Sequence, residues 1–483
     1  MADNRNFRVV VVGAGVAGLF MAEKLKRAKI DFTVYEKAGE VGGTWRDNTY
    51  PGLFVDVLSR QYEFPFRPNY DWSRKYAPAP EIQTYIKKVA DERRLRDFIR
   101  FNEEIAEARF ADGRWHMRTV RGTEDVADVF IAATGFLSRP IYPDIEGRDS
   151  FAGPAFHSAR WDHDVPHKGK RWGVIGSGCS GIQITEALAW EGVEVTQFIR
   201  RAQWIHIREN PWTSWLHRMW LRLPFAYRRE QRKLWQAIGV GDRWRLQPGP
   251  EREAMQRQYA GYLDAIRDPE LKKMLTPQYH LGCTRIPKSD QNYYEAVQLP
   301  NVRVENRRIA CIVPEGIELA DGTMLPQDVL VYATGFDTHA YMRPMRVIGP
   351  NGLSIDEAWK ERIHSYGGIA LPGFPNLYML YGPFSPLNNV PVPLGLDQEI
   401  DYIMRLIAVA RDRRVAIAPT REATDRFVAR MDAAFPGTVW VGCKNWYSDQ
   451  TGTPILWPLP QDAHKAFFEN IVLEDLQLIP VAP

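Results

Sequence analysis

The sequence predicts an α/β protein built from two Rossmann-like dinucleotide-binding domains, with a helical insertion in the second. A glycine-rich strand-to-helix turn occurs twice, as Gly13-Ala-Gly15-Val-Ala-Gly18 and as Gly176-Ser177-Gly178-Cys-Ser180-Gly181. Each turn follows an apolar strand and opens a helix, the context that gives such a motif its meaning. Residues 204–280 break this βαβ rhythm with helical stripes.

The 483 residues are enough for two domains, and 45% hydrophobic with 25% charged residues is an ordinary globular balance. A net charge of +3 gives no argument for a nucleic-acid partner. The four cysteines, Cys179, Cys283, Cys311 and Cys443, stand far apart with no C-x-x-C pair. That spacing excludes a zinc ribbon and argues against a dithiol centre or a disulfide framework, so no metal site is expected. The first strand begins by about Phe7, so no signal peptide is expected, and a reducing cytoplasmic location is the default. No apolar run approaches the roughly 20 residues of a membrane span, so no stable membrane insertion is expected.

In the first module, Phe7 to Val12 reads as a strand buried on both faces, and Leu19 to Ala28 as the helix behind the turn. Gly13 permits the tight turn, Gly15 lets the backbone approach a pyrophosphate, and Gly18 lets helix and strand pack closely. The helix N-terminus offers free N–H groups to phosphates. The next strand ends in Glu36, 23 residues after Gly13. A carboxylate there accepts ribose hydroxyls and repels a 2′-phosphate, which selects FAD or NAD over NADP. A glycine-rich irregular stretch follows, from Gly42 to Asp56, containing Thr44, Trp45 and Tyr50-Pro51-Gly52. From the residues alone, Trp45 and Tyr50 also fit packing aromatics and Asp56 a loop cap. Glu81 to Arg93 has the spacing of a surface helix, and residues 98–129 that of antiparallel strands turning at Asp112-Gly113. Val129 to Gly135 is a buried strand ending in Ala-Thr-Gly.

Between the modules lies Phe151-x-Gly153-x-x-x-His157-x-x-x-Trp161-Asp162, a stretch placed to join them and to couple binding at one to events at the other. In the second module the strand Glu194 to Ile199 ends not in an acid but in Arg200-Arg201, 24 and 25 residues after Gly176. A guanidinium in the register of Glu36 pairs with a 2′-phosphate, so this module prefers NADPH.

The region 204–280 holds Trp204, Trp212, Trp215, Trp220, Trp235 and Trp244 among many arginines. One helical face is Trp215, Leu216, Met219, Trp220 and Leu223; another is Met255, Tyr259, Tyr262, Leu263 and Ile266. Packing of an inserted helical subdomain is favoured for both over a basic aromatic helix lying on a membrane. Leu275 to Pro287 then carries Thr284-Arg285, read as either a catalytic cation or a structural ion pair. Asp328 to Phe336 is a second strand ending in Ala-Thr-Gly, Leu377 to Pro383 a buried strand and loop, and Asp397 to Ala410 an amphipathic helix. Trp440 to Trp457, rich in aromatics and glycine, is placed against a pocket.

Three stretches together resemble the type I Baeyer–Villiger monooxygenases, a branch of the class B flavin monooxygenases. They are the Phe151–Asp162 pattern, Gly43-x-Trp45 with Tyr50-Pro51-Gly52 and Asp56, and the segment 275–302 around Arg285. The heteroatom-oxidising branch usually has Tyr or Phe where Trp161-Asp162 stands here. The resemblance implies FAD in a discontinuous domain of residues 1–140 and 340–483. It implies NADPH in residues 141–339, with an insertion at about 204–280 that bounds the substrate pocket. Thr44 and Trp45 would line FAD, Tyr62 would contact it, and Asp56 would sit beside its ring and tune Arg285. NADPH would reduce FAD and O2 would add at flavin C4a. Arg285 would stabilise that peroxyflavin while it attacks a ketone carbonyl to give an ester or lactone. Thr284 replaces the lysine that commonly precedes this arginine, so selectivity for NADPH over NADH rests on Arg200 and Arg201 or is relaxed. An N- or S-oxygenase on the same scaffold is the alternative, and a non-catalytic flavoprotein binding module a remote one.

Overall fold

The computed structural model describes residues 7–240, 243–386, 391–443 and 445–481, without side chains over 235–240, so Trp235 lies outside the described residues. Two five-stranded parallel sheets organise the chain. In the first, the strand order is Leu377–Met379, Val129–Ala132, Arg8–Val12, Asp31–Glu36 and Ile99–Phe101. In the second it is Val302–Glu305, Glu194–Phe198, Arg171–Ile175, Val329–Tyr332 and Ala155–His157. Val9, Val10 and Val11, like Trp172 and Val174, are fully buried because each central strand is covered on both faces.

The same local construction appears twice. The strand Arg8–Val12 runs into the helix Val16–Arg27, and Arg171–Ile175 into Cys179–Trp190. A side chain on Gly13 (φ +107°) would meet Ala133 O at 2.5 Å, and one on Gly176 (φ +134°) Ala333 O at 2.3 Å. The Ala-Thr-Gly ends of the two flanking strands are therefore small because they press on the glycine turns. A side chain on Gly18 or Gly181 would meet Gly13 O at 1.8 Å or Gly176 O at 2.3 Å, so helix and turn touch directly.

Each parallel sheet also carries an antiparallel meander. One is Ile105–Ala111, Arg114–Thr119 and Glu124–Ala127, turning at Asp112 and Gly113, both at positive φ. The other is Ile309–Val313, Gly316–Leu319 and Met324–Pro326. The helix expected from Asp397 begins earlier, at Val392, since a proline is tolerated in a first helical turn.

The insertion contains Trp215–Leu221, Pro224–Val240, Arg243–Leu246, Pro250–Tyr262 and Pro269–Leu275. Its second stripe is packed: Tyr259, Leu263 and Ile266 are buried, with Met255 and Tyr262 against them. The first is not, which corrects the packing expected of it. Trp215, Leu216, Met219 and Leu223 keep 71%, 62%, 52% and 44% of their surface exposed. In this short helix Leu221 is the residue that turns inward, and the stripe points away from the body.

Candidate active site

At the carboxyl ends of the two sheets, Arg285 Nη2 donates to Asp56 Oδ2. Asp56 comes from the irregular stretch after the first glycine turn, and Arg285 from the segment after the insertion. Their side chains keep 34% and 40% of their surface accessible, so they line an open cleft. Burial pushes the Asp56 carboxyl up, but the charge of Arg285 holds it below its ordinary value. The Asp56 charge, opposed by burial, holds Arg285 well above its own. Both groups are therefore ionised at neutral pH.

Aromatic residues wall this pair. The Arg285 guanidinium carbon lies 6.0 Å from the Trp446 ring centre, and Phe136 stacks on Trp446 at 5.9 Å and on Tyr381 at 5.4 Å. Trp446 falls in the aromatic C-terminal stretch that the sequence placed against a pocket. Phe136 and Tyr381 carried no sequence signal beyond their places just after strand ends. Trp45 Nε1 donates to Tyr62 Oη at 2.9 Å, which fixes both rings next to the Thr44–Asp47 helix, while Thr44 is exposed.

Lys288 was missed as well, and its only signal was a charge three residues beyond Arg285. It pairs in register with His206 across the short parallel ladder His206–Ile207 and Lys288–Ser289. Ser289 Oγ donates to Glu186 on the helix Cys179–Trp190, so Lys288 points to the opposite side of its strand. Burial, then Arg208 and Arg245, push Lys288 well below the usual lysine range.

The glycine turns fit dinucleotides. A Cβ on Gly15 would touch only Gly43 Cα, at 3.7 Å, and one on Gly178 would meet open space. These two glycines are thus free of protein neighbours where a pyrophosphate would approach, whereas Gly13, Gly18, Gly176 and Gly181 are crowded by backbone. Glu36 is buried beside the first turn, accepting from Ala14 N at 2.8 Å and Arg46 Nη1 at 2.9 Å. In the second module Ser177 Oγ donates to Arg201 O at 2.7 Å, which ties the turn to the exposed Arg200-Arg201 loop. The Arg201 guanidinium lies 4.6 Å over the Tyr279 ring, and Tyr279 Oη contacts Thr284 Oγ1 at 3.4 Å. Thr284 is therefore connected to Arg201 through Tyr279.

The two modules meet through the Tyr50-Pro51-Gly52 turn. Tyr50 Oη donates to Gln183 Oε1 and accepts from Ser180 Oγ, both at 3.1 Å, and a Cβ on Gly52 would strike Gln183 O at 2.6 Å. The Phe151–Asp162 stretch lies mostly within the second module. Gly153 passes against Asp328 O, Phe151 packs against the apolar cluster that holds Ile312 and Ile317, and Trp161 stacks on Trp172 at 5.5 Å. His157 is fully buried: its Nδ1 accepts from Ala159 N at 3.1 Å, which leaves Nε2–H to donate to Gly335 O at 3.0 Å. Asp162 is exposed and caps the Asp164 amide.

The cysteine expectation is corrected here. Cys283 and Cys443 form a disulfide across a sequence separation of 160, which joins the Arg285 segment to the Trp446 segment. Pattern reading sees only local pairs, and this one is made by the fold. His280 brings a ring nitrogen within 4.8 Å of both sulfurs, which are bonded to each other and offer no thiolate to a metal.

Two dinucleotide folds facing one ion-paired arginine define a two-domain, nucleotide-dependent oxidoreductase. The pattern of the pyridine nucleotide-disulphide oxidoreductase family matches residues 10–229. The chain is 40% identical to an uncharacterized monooxygenase of Mycobacterium tuberculosis, over 97% of this chain and 96% of that one. It is 36% identical to a Baeyer-Villiger monooxygenase of Streptomyces coelicolor, over 99% and 94%. A solved structure of OTEMO in complex with FAD and NADP superposes with a TM-score of 0.88 at 26% identity, covering 99% and 100% of the two chains. The chain belongs to the type I Baeyer–Villiger monooxygenases, a family of flavin-dependent monooxygenases.

Proposed function

We propose that this protein inserts one oxygen atom of O2 beside the carbonyl of a small-molecule ketone, giving an ester or lactone. The observation that supports this most is the Arg285–Asp56 pair, which joins the stretch after the first glycine turn to the segment after the insertion. The enzyme is an FAD-dependent NADPH monooxygenase. FAD is held by Gly13, Gly15, Gly18, Glu36, Thr44, Trp45, Asp56 and Tyr62, in a unit formed by residues 1–140 and 340–483. NADPH is held in residues 141–339, by Gly176, Ser177, Gly178, Ser180, Gly181, Arg200 and Arg201. When bound, the two cofactors supply the reducing equivalents and the activation of O2.

Arg285 supplies a permanent cation at the place where negative charge builds on the reacting oxygen, and in many enzymes such preorganised charge accounts for most of the rate enhancement. Asp56 fixes the guanidinium in that place. A cation there disfavours protonation of the oxygen, which leaves it nucleophilic towards a carbonyl carbon; a protonated oxygen reacts instead with amines and sulfides. Phe136, Tyr381 and Trp446 form an apolar wall that limits water around the charge. His157 holds Gly335 within the second module, and Tyr50 joins the first module to the helix that opens at the second turn, a contact that positions the two cofactors relative to each other.

The test is a chromatographic screen of ketones, amines and sulfides with the holoenzyme and NADPH. Esters or lactones from ketones are expected to be the main products. Preferential formation of amine oxides or sulfoxides would replace this reading with heteroatom oxygenation.

A further inference from the structure

The exposed stripe of the insertion has no role in the chemistry above. Besides Trp215, Leu216, Met219 and Leu223, it includes Trp212 and Phe225, which are 68% and 66% exposed. Single exposed apolar residues are ordinary, but six large ones within the fourteen residues from Trp212 to Phe225 are not. The hairpin that carries them is not a loose flap. Leu221 and Ala226 are fully buried, and Thr213 N donates to Ser73 O at 2.7 Å. Arg222 pairs with Asp71 at 2.7 Å and Arg60 with Glu230 at 2.9 Å, and Tyr227 Oη donates to Glu63 Oε2 at 2.8 Å. One side of the hairpin is thus bolted to residues 60–73, and the other side is presented outward.

The charge around the stripe selects its partner. On the helix Pro224–Val240, Arg228, Arg229 and Arg232 follow Phe225 at three, four and seven residues, so they share its face. All three are exposed, as is Lys233 beside them. Glu230, the acid of this stretch, is committed to Arg60 on the inner side. Trp212 is covered on one face by the Arg74 guanidinium at 4.2 Å. Aromatic and aliphatic tips rimmed by arginines match the interface of a bilayer with an anionic surface, where apolar groups enter the headgroup region and cations pair with lipid phosphates. Among the described residues, no helix is long and apolar enough to cross a membrane, so the contact is peripheral.

We propose that the hairpin around Trp212–Phe225 docks the enzyme on anionic lipid membranes, with Arg228, Arg229 and Arg232 as the charged rim. The test is co-sedimentation of the holoenzyme with phosphatidylglycerol/phosphatidylcholine vesicles and with pure phosphatidylcholine vesicles, at low and high salt. The wild type is expected to pellet with the anionic vesicles and to be released by salt. Trp215→Ser/Leu216→Ser/Phe225→Ser and, separately, Arg228→Glu/Arg229→Glu are expected to lower the bound-to-free ratio at least tenfold, with NADPH oxidation in solution unchanged. Wild-type protein that stays in the supernatant, or variants that bind as well as wild type, would overturn the proposal. So would a wild-type dimer on gel filtration that the triple variant converts to monomer, because the stripe would then pair with a second copy.

Discussion

The guanidinium of Arg285 is bonded to the carboxylate of Asp56, although 229 residues separate them in the chain. The contact joins the stretch after the first glycine turn to the segment after the insertion, and it favours the charged form of each partner. Replacing Arg285 by Ala should leave reduction of the bound flavin by NADPH intact while ester formation falls by about a hundred- to a thousandfold, the scale for losing one positioned group at a developing oxyanion. Stopped-flow bleaching of the flavin and product chromatography separate the two steps. Asp56→Asn should lower ester yield in the same direction, because Arg285 loses the partner that orients it.

Arg200 and Arg201 form the loop behind the second turn, tied to it through Ser177. Arg200→Gln/Arg201→Gln should raise KM for NADPH by about 10- to 100-fold, the worth of a charge-assisted hydrogen bond to a phosphate. KM for NADH should change little, and kcat with saturating NADPH should hold. Initial rates with each coenzyme test this, and an equal rise for both would move the 2′-phosphate contact elsewhere.

His157 is neutral and bonded at both ring nitrogens. Burial lowers its pKa from 6.5 to about 4. A folded value below the unfolded one stabilises the protein above pH 6.5, and that contribution is lost as pH falls from 6.5 through about 4. His157→Phe keeps a ring but leaves the buried Ala159 N–H without its acceptor, a cost of about 1–3 kcal/mol at neutral pH, while Gly335 O keeps its bond from Ile141 N at 2.9 Å. Urea unfolding at pH 7 and pH 4.5 should show a smaller gap between variant and wild type at the lower pH.

These two sites show how unevenly the chain can be read. The glycine turns, Glu36, the two arginines and the Ala-Thr-Gly strand ends are legible because backbone chemistry ties each to a fixed local spacing. The Cys283–Cys443 bond, the Phe136–Trp446 wall and the Tyr50 contact with Ser180 are made between distant segments, and no spacing announces them. The stripe at Trp215 misled for a related reason. An apolar helical face shows that something covers it, not that this chain does.

Lys288 sits with Arg208 and Arg245 near Asp56, and burial together with those cations lowers its pKa well below 10.5. The stability that goes with a neutral Lys288 is therefore present above pH 10.5 and is lost as pH falls through the folded value. Lys288→Met should be more stable than wild type at neutral pH, with the difference narrowing as pH rises towards 10.5. Thermal unfolding at pH 7 and pH 10 checks the sign, and a variant less stable at pH 7 would show that the ammonium is held by a favourable contact.

In the proposed reaction the fixed cation of Arg285 directs one atom of dioxygen into the bond beside a ketone carbonyl. Turnover of a cyclic ketone under ¹⁸O-labelled O2, read by mass spectrometry, tests it most directly. The account predicts a lactone carrying one labelled oxygen at the ring position. Unchanged ketone after NADPH has been consumed across a broad ketone panel, or product labelled only from water, would contradict it.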